Sequence, residues 1–127
     1  YCQIGTSPDG GATFHLPRAV GMKRAMEIAL LGDRFDARTA EDVGLVNEVV
    51  PAADLDGEVA NLATRLAAGP TAAYARTKEL LTAAFDHNLA THLGWECDRL
   101  VASTATADFA EGVTAFVEKR AAKFEGR

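Results

Sequence analysis

The stretch ALLGDRFDARTAEDVGLVNEVVP, Ala29 to Pro51, decides how the chain is read. It closes one helix, builds a second, short one, and leads into a β-branched run that a proline stops. Gly32 supplies the left-handed end of the first helix. Asp36 has the side chain and spacing of an N-cap for a helix from Ala37 to Val43, and Gly44 closes it. LVNEVV, Leu45 to Val50, then reads as a short strand. Upstream, Met22, Ala25, Met26, Ala29 and Leu30 form one apolar stripe, predicting a helix from Gly21 to Leu31.

Downstream the pattern is helical throughout. Val59, Leu62, Ala63 and Leu66 mark a helix from Ala53 to Ala67. Gly69-Pro70 breaks the chain, with proline suited to the first position of the next helix. That helix runs to Phe85. A fifth, Leu89 to Ser103, carries Leu93, Cys97 and Leu100. A sixth, Ala107 to Lys119, carries Phe109, Val113, Phe116 and Val117. Residues 1–5 read as the end of a strand or an extended segment. The expected fold class is therefore mostly α with one or two short strands.

The 127 residues are one domain's worth, and 48% of them are hydrophobic. Thirteen basic against eighteen acidic residues leave a net charge of −5, which argues against non-specific nucleic-acid binding. There is no apolar run long enough to span a membrane, and no signal peptide is visible. Cys2 and Cys97 lack a CxxC spacing and are expected to be buried, reduced thiols. His15, His87 and His92 lack ligand spacing, although the last two could share a loop or a helix end; no metal site is expected.

Near the start lies SPDGG, Ser7 to Gly11. Proline presets φ and glycine takes conformations closed to other residues, so Asp9 sits in a turn. Turn chemistry alone accounts for it there. A phosphate loop is not indicated, since GxxxxGK[ST] is missing.

Three stretches taken in order carry a resemblance: IGTSPDGGATFHLPRAVG (Ile4 to Gly21), Ala29 to Pro51 as quoted, and DFAEGVTAFVEKRAAKFEGR (Asp108 to Arg127). Together they resemble the enoyl-CoA hydratase/isomerase family, the crotonase fold, along essentially the whole chain. The resemblance implies that these residues are the C-terminal part of a ββα-spiral protein. Residues 1–51 would be the end of its core, and 52–127 a helical region that packs protomers into trimers or hexamers. It implies an acyl-CoA substrate, with coenzyme A entering only as part of that substrate and no separate cofactor. It also implies a cytoplasmic enzyme of fatty acid metabolism whose N-terminal half carries the two oxyanion N–H donors.

Hydratases of the family use two glutamates. The position of the second falls on Tyr1, and a phenol of ordinary pKa about 10 cannot act as a base near neutral pH. Asp9 matches the catalytic carboxylate of isomerase-type and dehalogenase-type members. The resemblance therefore implies proton transfer on an enoyl-CoA thioester through an enolate, with Asp9 as base and acid. Hydration, or a non-catalytic oligomerisation scaffold, are the alternatives. Tyr1, Gly10, Gly11 and Phe14 would line the acyl site, and His15 and Leu16 either line it too or pack in the core. Phe116 and Lys119, three apart, would meet the adenine and phosphates of coenzyme A, with lysine acting as a point charge.

Helices built to pack on a core supplied elsewhere would expose apolar faces. The isolated 127-residue chain is accordingly expected to self-associate or dissolve poorly. Analytical ultracentrifugation checks this, and a sharp monomer that melts cooperatively would contradict it.

Overall fold

A computed structural model describes residues 1–127. The chain divides into two compact units, Tyr1–Leu55 and Asp56–Arg127.

In the first unit a single 3-10 turn over Cys2–Ile4 precedes helix α1, Ala12–Leu31. The 3-10 turn replaces the extended segment expected at residues 1–5. Its amides find partners locally: Ile4 N–H donates to the Tyr1 carbonyl at 2.9 Å and Gly5 N–H to that of Cys2 at 3.1 Å. Gly5, at φ 78°, closes the turn. Helix α1 starts well before the expected Gly21. Gly21 itself, at φ 76° and ψ 157°, breaks it into segments 12–20 and 22–31. Only the second segment carries the regular apolar stripe; Pro17 interrupts the pattern of the first. Gly32 ends α1 in the left-handed region, with its N–H on the Ile28 carbonyl.

Helix α2, Ala37–Asp42, has the Asp36 cap read from sequence. The Asp36 carboxylate accepts from Thr39 N–H at 2.8 Å, and this bond holds its pKa below the ordinary carboxylate range. The strand expected at Leu45–Val50 does not form. Its amides turn back onto α2 instead: Leu45 N–H reaches the Ala40 carbonyl at 2.8 Å, and Val49 N–H reaches Glu41 Oε1 at 3.0 Å. A strand needs a neighbouring strand for its ladder, and the chain forms none.

The second unit holds most of α3, Leu55–Ala67, then α4, Thr71–Ala83, α5, Leu89–Thr104, and α6, Ala107–Glu118. Asn88 caps α5 by accepting from Thr91 N–H, and Thr106 caps α6 by accepting from Phe109 N–H. A bidentate pair between Arg99 and Glu79 ties α5 to α4. The stripe Leu55, Val59, Leu62 and Leu66 on α3 is exposed, as are Leu89, Leu93 and Leu100 on α5. Cys97 belongs to the α5 stripe and is exposed, as is Cys2; the expectation of buried thiols is wrong because nothing in either unit covers them.

The C-terminal segment is tied to α6 by two acids. Buried Asp108, 5% exposed, accepts from Glu125 N–H at 2.7 Å and Gly126 N–H at 2.9 Å. Its own N–H donates to the Arg127 carbonyl, which satisfies a free amide of the first helical turn. Glu111 accepts a bidentate pair from Arg120, at 2.6 and 2.8 Å, and the Lys123 N–H at 2.8 Å. Gly126, at φ 79°, lies so close to Thr71 that a Cβ would meet its Oγ1.

Hydrogen bonds from Arg120, then from Lys123 N–H, pull the Glu111 pKa down to about 2 from 4.5. A depressed folded-state pKa stabilises above the unfolded value and stops doing so as pH falls through the folded one. The Glu111 contribution is therefore fully present above about pH 4.5 and fades towards about pH 2. Glu111→Gln should remove that part of the acid dependence, read as amide exchange of residues 120–126 between about pH 5 and 2.5. Exchange with the same pH dependence in both proteins would contradict it.

Candidate active site

The turn at SPDGG puts a carboxylate where two glycines leave the backbone bare. Gly10 and Gly11 both take left-handed backbone, φ 61° and 84°. Nothing lies within 4 Å of a Cβ built on Gly10, so a ligand can approach the main chain there. Gly11 is the N-cap of α1 and offers no side chain to its free amides. The Ala12 N–H closes the turn on the Asp9 carbonyl at 3.1 Å.

Tyr1 and Asp9 meet. The Tyr1 phenol donates to Asp9 Oδ1 at 2.6 Å. That bond, with a smaller desolvation effect in the same direction, raises the phenol pKa above its ordinary value, so Tyr1 stays a donor near neutral pH. Sequence reasoning gave each residue a place in the site but not this bond. Their separation of eight residues is no standard hydrogen-bonding interval, and it is the Gly5 turn and the SPDGG bend that bring them together.

Tyr1 also lines a recess of about 340 Å³ with Cys2, Pro8, Ala12, Leu16 and Ile28 among its walls. Leu16 is the residue of the FHL triplet that faces it. Phe14 does not line it: its ring is covered by the Arg18 guanidinium, 3.5 Å from the ring centroid, and meets His15 edge-on at 5.2 Å. Arg18 also donates to the Phe14 carbonyl at 2.9 Å.

In the second unit Phe116 is 84% exposed and lines an apolar groove of about 380 Å³ with Pro70, Phe109, Val113 and Phe124. Lys119 lies one residue past α6 at φ 55°, the chain's one positive-φ residue other than glycine. The helix face expected to present both residues therefore stops short of Lys119. Its N–H and that of Arg120 reach back to the Phe116 and Ala115 carbonyls, a Schellman-type end normally made by glycine. No cluster of three metal-ligating side chains forms. His87 and His92 do adjoin, at 5.7 Å between rings, with Trp95 edge-on to His87 at 4.6 Å.

A family profile described as Enoyl-CoA hydratase/isomerase matches residues 1–127. The chain is 41% identical over 122 residues to "Enoyl-CoA hydratase, mitochondrial" of Pongo abelii, covering 96% of this chain and 42% of that protein. It is 36% identical over 127 residues to "1,2-epoxyphenylacetyl-CoA isomerase" of Escherichia coli, covering all of this chain and 48% of that one. A crystal structure of an enoyl-CoA hydratase from Bacillus anthracis superposes with a TM-score of 0.91 at 32% identity, covering 99% of this chain and 49% of that one. The chain thus spans about half the length of the curated relatives it matches.

Lys119 holds a backbone conformation that costs a side-chain-bearing residue on the order of 1 kcal/mol. Lys119→Gly should therefore raise stability by about 1 kcal/mol in urea unfolding. An unchanged or lowered midpoint would mean that the lysine side chain compensates the strain within the fold.

Proposed function

Because the chain belongs to the enoyl-CoA hydratase/isomerase family, we propose that it serves an acyl-CoA-processing enzyme that shifts a double bond by proton transfer through an enolate. The observation that carries this reading is the identity of the two groups at the turn. At the turn stands one carboxylate, Asp9, and its hydrogen-bond partner is the phenol of Tyr1, at the position where the family's hydratases would have their second glutamate. Two-glutamate hydration needs two carboxylates. A 1,3-proton shift needs one, which takes the proton from one carbon and returns it at another.

The thioester acidifies its α-carbon, and the enolate charge falls on the thioester oxygen. Backbone N–H donors aimed at that oxygen typically lower the barrier by several kcal/mol each. In this reading those donors come from outside the 127 residues. Gly10 and Gly11 let the acyl group approach the turn, Tyr1 and Leu16 border the acyl site while Phe14 stands outside the recess they line, and coenzyme A enters as part of the substrate. Phe116 and Lys119 meet the adenine and phosphates: an 84%-exposed ring can stack, and an ammonium attracts phosphate. The exposed stripes of α3 and α5 suit a homo-oligomer, a trimer or hexamer, in which neighbouring protomers cover them.

Hydration is the second reading, favoured by the 41% identity to the enoyl-CoA hydratase of Pongo abelii. In it, groups other than a Tyr1-position glutamate direct the water.

Asp9→Asn should lower isomerisation of enoyl-CoA thioesters by about 10²–10⁴-fold, the usual range for a lost acid–base group. The assay runs the full-length enzyme and its variant over a panel of acyl chains. Full activity in the variant would return Asp9 to a turn residue.

A further inference from the structure

The two oxygens of Asp9 are not equivalent. Oδ1 accepts the Tyr1 phenol at 2.6 Å, and no second donor among these 127 residues reaches the carboxylate. Asp9 is exposed and followed by two glycines in left-handed conformations, so side-chain packing does not fix its rotamer. Among these residues the phenol is the contact that can.

Resting on the reading of Asp9 as the base, we propose that Tyr1 is its positioning residue. Tyr1 holds the carboxylate plane by Oδ1 and leaves Oδ2 to take the proton from carbon and give it back. A phenol suits this role better than a glutamate would. Two carboxylates at this distance would repel, and one would hold a proton. The phenol is neutral, and its raised pKa keeps it a donor while the carboxylate cycles between its two states. The Tyr1 ring also walls the recess shared with Pro8, Ala12 and Leu16, so the residue that aims Asp9 also borders a largely apolar space able to take an acyl chain.

Tyr1→Phe keeps the ring and removes only the O–H. In the full-length enzyme kcat should fall about tenfold or more, as expected for losing a hydrogen bond to a charged group. KM should stay within about twofold, because the recess wall is intact. An unchanged kcat in Tyr1→Phe, with Asp9→Asn inactive, would overturn the positioning role and leave the base standing. An active Asp9→Asn would overturn the base itself. A rise in KM alone would make Tyr1 a wall and nothing more.

A second readout is independent of turnover. In the full-length enzyme carrying carbon-13 at the tyrosine Cζ, the Tyr1 signal is the one lost in Tyr1→Phe. Its titration should lie above about 10 and move down towards it when Asp9→Asn is added. A titration that does not move would show that the bond is not made in solution, and would overturn the proposal.

Discussion

The apolar stripes of these helices exceed what the chain itself can cover, and that constraint governs the rest. The buried hydrophobic residues are Ala25, Ala40 and Ala115, and no large side chain is fully buried. Local bonds therefore hold much of the structure. Asp36, Asn88 and Thr106 cap helices, Arg99 and Glu79 join two of them, and Asp108 and Glu111 hold the C-terminal segment. Such bonds fix geometry but contribute modestly to stability, on the order of 1 kcal/mol each. The larger hydrophobic contribution, about 25 cal/mol per Å² of apolar surface, is realised when something lies over Val59 and Leu62 on α3, or over Leu93 and Phe116.

The same dependence applies to the chemistry. Tyr1 and Asp9 are exposed, where a phenol–carboxylate bond competes with water. A seated thioester and a covering protein surface would remove that competition and sharpen the difference between the two carboxylate oxygens. In the proposed mechanism the turn's contribution is geometric: Gly10 and Gly11 clear the approach, and Tyr1 sets the aim.

Much of the helical pattern was legible because it rests on short-range signals. Asp36 three residues before Thr39, and Gly69-Pro70 before α4, declare helix ends whatever packs around them. The first half of α1 was not legible, since Pro17 and Gly21 disrupt the periodicity that identifies a helix. The run Leu45–Val50 has strand composition, yet its amides go to Ala40 and Glu41; strand formation depends on a partner that composition does not reveal. The cysteines failed for a related reason: an apolar stripe predicts which face is to be covered, not whether the chain covers it. At the site, Asp9 could be singled out through family resemblance, while its bond to Tyr1 required the fold of the intervening turn.

The most direct test of the central claim is the mass of the product formed from a short enoyl-CoA by the full-length enzyme in heavy water. Proton transfer through Asp9 predicts a product with its double bond moved and no added oxygen, its new carbon-bound hydrogen carried over from the substrate unless the Asp9 proton exchanges with solvent first. A product heavier by one molecule of water, with the deuterium at the carbon next to the thioester, would contradict it and make the enzyme a hydratase.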